Sequence, residues 1–240
     1  MLLRCFRCPL FVITHVLLLP SGTRSEDKAI VRREDTEWVE VSIPGVLRND
    51  KPHILLIGDS IAGGYYHQVS AALSAEAYVA RLCTSKSLGD PALLREISYV
   101  LDQADFTVIH FNNGLHGRDY PEEEYRLAFP ELLVALRQGA PRAQLIWATT
   151  TPTREGQDFG TLTEFTQRVK ERNNIAAALV KSAGITVNDL FSLVVDRKEY
   201  FKDGVHFTEA GNQQIAAQVA HKIRGVLLPS APTPAKDPKE

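Results

Sequence analysis

The sequence feature that most constrains the fold is a regular alternation, beginning at His53, of short apolar segments with longer segments of helical periodicity. The first apolar segment, HILLIG, ends in glycine and contains no regularly spaced polar residues, as expected of a strand buried on both faces of a parallel sheet. The predicted strands cover residues 53–58, 76–83, 106–112, 144–150 and 185–190. The predicted helices between and after them cover about 65–74, 91–103, 121–139, 161–183 and 208–226. This alternation predicts an α/β fold, a three-layer α/β/α sandwich around a five-stranded parallel sheet.

The two ends of the chain are expected to lie outside this domain. Residues 1–23 combine a basic start, an apolar run from Pro9 to Leu19 and small residues, which is typical of a signal peptide. The run is too short to span a bilayer well, so we expect a secreted or periplasmic protein with no stable membrane insertion after cleavage. Residues 229–240 are rich in proline and are predicted to be a disordered tail.

The intervening sequence divides at about residue 50. Residues 24–50 are polar and form an N-terminal extension, with a possible strand at 37–43, and residues 51–228 form the predicted domain. A formal net charge of -2 offers no basic surface that would neutralise phosphates, so nucleic acid is not an expected partner. Cys5 and Cys8 form a C-x-x-C inside the signal peptide, and its removal leaves Cys83 with no partner for an internal disulfide.

A serine follows the first predicted strand in the run Gly58-Asp59-Ser60. Ligands of parallel α/β folds bind at the carboxyl ends of the strands, so this hydroxyl is expected in the binding crevice. It would also lie near a helix N-terminus, where backbone N–H groups can stabilise a developing oxyanion. Taken alone, such a run more often marks a serine that caps a helix.

An aspartate and a histidine precede the last predicted helix in the run Asp203-Gly204-Val205-His206. A serine hydroxyl becomes a good nucleophile when an imidazole accepts its proton, and a carboxylate holds that imidazole in the required tautomer. Since Asp203 and His206 are three residues apart on a loop, they can contact each other locally. Together with Ser60 they predict a serine–histidine–aspartate triad.

The combination of an early GDS and a late D-x-x-H resembles the SGNH hydrolase superfamily, the GDSL-type esterases and lipases, over about residues 53–226. The resemblance implies a flavodoxin-like sandwich and a catalytic triad of Ser60, His206 and Asp203. It also implies three oxyanion donors: the backbone N–H of Ser60, a glycine N–H after the second strand and an asparagine side chain after the third.

The second and third blocks of that family match less closely. The third strand is followed by Phe111-Asn112-Asn113-Gly114-Leu115-His116-Gly117 in place of the usual G-x-N-D, and this run is similar to a subgroup with an N-x-G-L-H block. Asn112 and His116 are the predicted donors there, although His116 could instead pair with Asp119. After the second strand the glycine on offer is Gly89, with Ser85 or Ser87 as substitutes.

Further residues near the strand ends are candidates for substrate contacts. Thr150 ends the fourth predicted strand, where it could line the cleft or form a polar strand exit. The remaining candidates flank the predicted catalytic and oxyanion residues, namely Asp59, Asn113 and Gly114.

Three other classes of protein were weighed against the serine hydrolase. An α/β-hydrolase would carry G-x-S-x-G, but Ala62 occupies the fifth position. A metal-dependent hydrolase could use Asp59, His116, Asp203 and His206 as ligands, but no H-x-H or H-E-x-x-H signature is present. An inactive SGNH-fold protein that binds carbohydrate would explain the altered blocks but not the intact triad. We therefore expect neither a metal nor a cofactor.

The resemblance implies ester substrates, either small molecules or glycans. Export points toward polysaccharide or lipid, and no long apolar lid is evident outside residues 1–23. O-acetyl groups on carbohydrate are therefore the favoured substrate, with lipid acyl esters or thioesters as alternatives. The sequence does not indicate an oligomeric state.

Overall fold

A six-stranded sheet forms the centre of the computed structural model, which describes residues 33–227. Its strands are β1 (Val39–Ser42), β2 (His53–Gly58), β3 (Tyr78–Thr84), β4 (Phe106–Phe111), β5 (Gln144–Ala148) and β8 (Thr186–Asn188). A separate two-stranded hairpin consists of β6 (Arg154–Glu155) and β7 (Thr161–Leu162). The predicted α/β/α fold is therefore confirmed, with an additional strand at one edge.

The strand order in the sheet is β1-β3-β2-β4-β5-β8. The five strands from β3 to β8 are parallel, as predicted, whereas β1 pairs antiparallel with β3, with Val39 opposite Thr84 and Ser42 opposite Arg81. The strand order places β2 between β3 and β4, so the chain adds β3 on one side of β2 and then β4, β5 and β8 on the other. Such a switch point opens a crevice at the carboxyl ends of the strands.

Helices cover both faces of the sheet. They are α1 (Ser60–Leu73), α2 (Pro91–Leu101), α3 (Glu122–Gly139), α4 (Phe165–Ser182), α5 (Leu190–Val194) and α6 (Glu209–Leu227), with a 3-10 turn at Lys198–Tyr200. Apolar residues of α1 and α6 pack on one face of the sheet, and those of α2, α3 and most of α4 pack on the other. The result is the expected three layers.

The buried residues of β2 show how one strand serves both layers. Ile54 and Leu56 join the cluster that contains α1 and α6, whereas Leu55 and Ile57 join the cluster on the opposite face. All four have at most 4% of their surface exposed. Burial on both faces explains why the segment is apolar throughout and does not alternate.

Local boundaries differ from the predicted ones at three places. The helix after β2 begins at Ser60 rather than near Tyr65, because Asp59 caps it and its side chain accepts from the N–H of Ile61. The last strand ends at Asn188, because the carboxylate of Asp189 accepts from the N–H of Ser192 and starts α5. Residues Thr161–Leu162 pair with β6, so α4 starts later than predicted.

The predicted signal peptide at 1–23 and the predicted tail at 229–240 lie outside the described residues. Of the predicted extension at 24–50, residues 33–50 are described, and its possible strand is confirmed as β1. Within residues 33–227, none of the helices combines the length and the apolar character that a membrane crossing requires.

Candidate active site

Ser60 lies at a sharp turn between β2 and α1. Gly58 ends the strand, Asp59 caps the helix, and Ser60 is the first helical residue. A side chain at position 58 would place its Cβ only 2.6 Å from the Cβ of Ala62, so the turn requires glycine there. The turn leaves the Ser60 hydroxyl at the carboxyl end of β2, and the N–H groups of the first helical turn have no intrahelical partners.

The structure brings His206 and Asp203 to Ser60. His206 Nε2 lies 2.9 Å from Ser60 Oγ, and His206 Nδ1 lies 3.0 Å from Asp203 Oδ2. The three side chains thus form one chain of hydrogen bonds from carboxylate to imidazole to hydroxyl. This arrangement allows the imidazole to accept the hydroxyl proton while the carboxylate orients the ring.

The Asp203 carboxylate is held by its own loop. Its Oδ1 accepts from the N–H groups of Val205 at 2.8 Å and His206 at 2.7 Å. Partial burial alone would raise the pKa of Asp203, but these N–H groups and the His206 ring outweigh it and keep the pKa below its usual value. Asp203 is therefore a carboxylate at neutral pH.

A neighbouring hairpin supports the Asp203–His206 loop. The N–H of Arg154 in β6 donates to the carbonyl of Gly204 at 2.7 Å, and a Cβ at position 204 would lie 2.4 Å from the Arg154 carbonyl oxygen. The buried Arg154 guanidinium donates to the carbonyls of Phe159 and Val195 and lies over the ring of Phe201. The sequence analysis missed Arg154, because nothing local links it to a loop fifty residues later.

A cleft of about 510 Å³ opens at Ser60 and His206. Its other lining residues come from four separate parts of the chain: Glu34, Trp38, Glu40, Gly63, Arg81, Cys83 and His116. Glu34, Trp38 and Glu40 precede β2, and we refer to these three as the N-terminal wall. They were not predicted as site residues. The possible strand at 37–43 was the sequence signal nearest to them.

Cys83 forms part of the floor of this cleft and is buried. Burial, together with the nearby Asp59 carboxylate, raises the pKa of the Cys83 thiol to about 12. At neutral pH the thiol is therefore protonated, and since a thiolate is the nucleophilic form, Cys83 is a packing residue of the cleft.

His116 lines the cleft and pairs with the N-terminal wall. Its Nδ1 lies 2.6 Å from Glu34 Oε1, and its ring meets that of Trp38 edge-on with 6.4 Å between centroids. The sequence analysis considered Asp119 as a partner of His116, but in the structure the partner is Glu34. The fully buried guanidinium of Arg172 fixes the loop by donating to the carbonyls of Gly114, His116 and Gly117.

Asn112 does not present its amide to the cleft, contrary to the prediction. Its Nδ2 donates to the carbonyl of Ala148 at 2.7 Å and to Thr150 Oγ1 at 3.0 Å, so both hydrogens are used. Asn113 is likewise turned away, since it accepts from the N–H of Leu88 and donates to the carbonyl of Lys86. These two asparagines tie the end of β4 to its neighbours instead of serving a ligand.

The other predicted substrate contacts are buried beneath the cleft. Asp59 is 2% exposed and caps α1, and Thr150 is 1% exposed and bonded through its backbone to Asn173. Gly114 packs so closely that a Cβ there would lie 2.1 Å from Thr150 Oγ1. These residues pack beneath the cleft and do not line it.

The predicted donor after the second strand is also displaced. Gly89 lines a separate hollow beside Leu88 and Asp90, away from the lining of the Ser60 cleft. The side chain of the substitute candidate Ser85 donates to Glu37, which fixes the N-terminal segment. Neither Gly89 nor Ser85 is therefore placed to bind an oxyanion.

The four residues weighed as metal ligands do not converge. Asp59 is a buried helix cap and His116 pairs with Glu34, whereas Asp203 contacts His206, which in turn contacts Ser60. Over residues 33–227 no group of three or more histidine, cysteine, aspartate or glutamate side chains has the spacing of a metal site.

Comparison with known proteins identifies the class of this domain. A family model described as the GDSL-like Lipase/Acylhydrolase family matches residues 56–214, more than half of the 240-residue chain. No match was found among curated proteins.

Several solved structures share the fold. A GDSL-like lipase from Bacteroides thetaiotaomicron VPI-5482 is 16% identical, with a TM-score of 0.56, covering 72% of this chain and 88% of that one. An acetyl xylan esterase is 17% identical, with a TM-score of 0.57 and coverages of 71% and 99%. An aryl esterase from M. smegmatis is 15% identical, with a TM-score of 0.58 and coverages of 73% and 99%. At these identities the likeness concerns the fold, and the N-x-G-L-H subgroup stays a prediction.

Proposed function

The chain belongs to the GDSL-like lipase/acylhydrolase family and is an ester-hydrolysing serine hydrolase, and from this premise we propose that Ser60, His206 and Asp203 remove O-acetyl groups from carbohydrate. The observation that carries the proposal is the continuous hydrogen-bonded chain at Ser60. Its two links measure 2.9 Å and 3.0 Å.

In the first half of the reaction Ser60 Oγ attacks the carbonyl carbon of the ester, and His206 Nε2 accepts the hydroxyl proton. Asp203 holds Nδ1–H and stabilises the imidazolium that forms. The tetrahedral intermediate then collapses as His206 gives the proton to the departing sugar oxygen, which leaves an acetyl group on Ser60.

In the second half a water molecule attacks the acetyl-serine carbonyl while His206 accepts a proton from it. A second tetrahedral intermediate expels Ser60 Oγ, which regains the proton from His206. Acetate leaves and the free enzyme is restored. Ester and water are thus converted to alcohol and acetic acid with no external cofactor.

The negative charge of each intermediate needs hydrogen-bond donors in the cleft. The backbone N–H of Ser60 lies at the N-terminus of α1 and is one proposed donor. His116 is the proposed side-chain donor, since it lines the cleft and the amide of Asn112 is fully engaged elsewhere. Its Nδ1 contacts Glu34, which leaves Nε2 as the ring nitrogen proposed to donate to the oxyanion.

The lining of the cleft favours a polar substrate over a long acyl chain. Glu34, Glu40 and Arg81 place charged groups around the opening, where an acyl lipid would have to displace their water without compensating hydrogen bonds. An acetyl group and one sugar ring fit a cleft of about 510 Å³. An acetyl xylan esterase is among the solved structures that share this fold, which supports the same choice.

Labelling and product release test the proposal together. A fluorophosphonate probe should modify Ser60, as located by peptide mass spectrometry, and Ser60→Ala should remove the label. Purified enzyme should release acetate from acetylated glycosides faster than it releases fatty acid from acyl glycerols. Activity that survives in Ser60→Ala would contradict the serine mechanism.

Export remains part of the proposal, on the composition of residues 1–23 alone. Expression of the full chain in a bacterium, followed by fractionation and N-terminal sequencing, tests it. Full-length protein retained in the cytoplasm would contradict export without affecting the proposed chemistry.

A further inference from the structure

The N-terminal wall precedes the part of the chain that matches the family model. Glu34, Trp38 and Glu40 line the cleft, yet all three precede residue 56, where the match to the family begins. The catalytic residues lie inside the matched region. Part of the cleft lining is therefore supplied by the matched region, and another part by the segment that precedes it.

This segment is anchored by hydrogen bonds and ion pairs that precede Trp38. Before it, Arg33 makes two contacts, at 2.9 and 3.3 Å, with Asp90, whose side chain is 1% exposed. Next to it, Glu37 accepts from Lys86 Nζ at 2.6 Å and from Ser85 Oγ at 2.7 Å.

The backbone of Trp38 is fixed as well. Its N–H donates to Ser85 Oγ at 2.9 Å, and its carbonyl accepts from the N–H of Ser85 at 3.1 Å. After Trp38, β1 continues in register with β3. The indole is therefore held beside the cleft before any ligand arrives, and a ligand that uses it loses little affinity to ordering the protein.

The groups that accompany Trp38 suit a ring with several hydroxyls. Arg81 Nη2 contacts Glu40 Oε2 at 3.0 Å, and the Arg81 guanidinium lies 4.7 Å from the centre of the Tyr66 ring. This pair offers donors and acceptors in fixed positions next to a flat apolar surface. A sugar presents the same combination, hydroxyls around its edge and C–H bonds on its face.

The charge of the N-terminal wall further restricts the kind of sugar that can bind. Two carboxylates, Glu34 and Glu40, line the cleft, and their partners His116 and Arg81 are already engaged with them. A ligand with its own carboxylate would meet like charge without a free cation to balance it. The wall therefore favours a neutral sugar over a uronic or sialic acid.

We propose that Trp38, Glu40 and Arg81 form the binding site for the neutral sugar ring that carries the acetyl ester. The ring stacks on the Trp38 indole, its hydroxyls bond to the Glu40–Arg81 pair, and the ester reaches Ser60. This inference rests on the proposed esterase function and adds that recognition comes from the N-terminal segment.

The test compares two acetate esters on the same variants. One is an acetylated methyl glycoside of a neutral sugar, and the other is 4-nitrophenyl acetate, which has no sugar hydroxyls. Trp38→Ala should lower kcat/KM for the glycoside by about tenfold more than for the aryl ester, mainly through KM, because stacking on an aromatic ring contributes on that scale. Trp38→Phe should restore most of the selectivity.

Val39→Ala is the matched control, since Val39 is the next residue along and has 49% of its surface exposed. It should leave both reactions as in the wild type. Glu40→Gln keeps the shape of the wall and removes one carboxylate, so it should lower the preference for the neutral glycoside over an acetylated uronic acid. This variant keeps the proposal testable if Trp38→Ala fails to fold.

Equal losses on both acetate esters in Trp38→Ala, or no loss on either, would overturn the sugar site. The same holds if Glu40→Gln leaves the preference between neutral and acidic sugars unchanged. Failure of the esterase proposal would look different, because Ser60→Ala would then still hydrolyse 4-nitrophenyl acetate.

Discussion

The two sides of the cleft are built in different ways. On the catalytic side, Asp203 and His206 are three residues apart, and Asp59 caps the helix that Ser60 begins. Glu34 of the N-terminal wall contacts His116, and Glu37, which anchors that wall, contacts Lys86, across 82 and 49 residues. The catalytic side also contains one long-range contact, between His206 and Ser60, which are 146 residues apart, but its carboxylate and its helix cap are set locally. The proposed mechanism uses the first side of the cleft, and the proposed recognition of the substrate uses the second.

This difference means that the two sides can be altered separately. Changes on the catalytic side should affect every ester alike, because each passes through the same tetrahedral intermediate. Changes in the N-terminal wall should affect esters according to the group attached to them. The predictions below test this separation in order of decreasing effect.

The largest effect is expected at the nucleophile. Ser60→Ala should lower kcat by at least about 10⁴-fold on glycoside and aryl acetates alike, and adding His206→Ala should cost little more, because the triad acts as a unit. Steady-state kinetics on both esters measure this. Ser98→Ala, at an exposed position on α2, is the control and should be unaffected. A selective loss on one ester would break the proposed separation.

The second effect concerns His116, which lines the cleft with Ser60 and contacts Glu34 of the N-terminal wall. Because His116 is proposed to donate to the oxyanion, its removal should lower kcat by about 10²- to 10³-fold on both esters, with little change in KM. His116→Ala measured against His221→Ala, an exposed position on α6, checks this. A change confined to KM for the glycoside would instead assign His116 to the sugar-binding side, and wild-type kinetics would make its role structural.

A smaller effect is expected at Arg154, which acts through the Asp203–His206 loop. Arg154→Ala removes the contacts to the carbonyls of Phe159 and Val195 and should lower kcat roughly tenfold on both esters, since a loosened loop misplaces the imidazole. Thermal unfolding of the variant must be measured alongside, with exposed Arg142→Ala as control. A loss in stability without a loss in kcat would show that the hairpin has no positioning role.

The smallest effect concerns the anchoring of the N-terminal wall. Burial would raise the pKa of Glu37, but donation from Lys86 and Ser85 outweighs it and lowers the pKa to about 2 from an ordinary 4.5. The folded state thus binds a proton less readily than the unfolded state, so this contribution to stability is present above about pH 4.5 and is lost as the pH falls toward 2.

Glu37→Gln should therefore destabilise the protein by about 1–2 kcal/mol near neutral pH, an amount reduced for the partial exposure of the pair. The difference from wild type should shrink as the pH falls from 4.5 toward 2. Denaturant unfolding across this range measures it, with exposed Glu131→Gln as control. A difference that persists at low pH would mean that the lost interaction is not the ionised contact with Lys86.

The sequence predicted the parts of the fold that depend on local pattern. The buried strand β2 could be identified because burial on both faces makes every residue apolar, and the order of strands and helices gave the three layers. The antiparallel pairing of β1 with β3 could not be predicted, because a four-residue edge strand with three exposed residues has little hydrophobic pattern.

The residues of the site that stand in short local motifs could also be predicted from the sequence. Ser60, Asp203 and His206 stand in short motifs, and the structure brings them together. Asn112 and Asn113 were misassigned because adjacent polar residues at a strand end look alike in sequence. Which way each amide turns is decided by carbonyls of other segments, Ala148 for Asn112 and Lys86 for Asn113.

The buried thiol in the cleft floor bears on how this enzyme tolerates oxidants and covalent reagents. Oxidation to sulfenic acid and alkylation both begin from the thiolate, and a Cys83 pKa of about 12 keeps that species scarce at neutral pH. Peroxide and iodoacetamide should therefore leave the activity intact although the sulfur lies beside the nucleophile. An electrophile that enters the cleft should therefore react with Ser60 and not with Cys83. A serine-directed inhibitor should meet no competing thiol there.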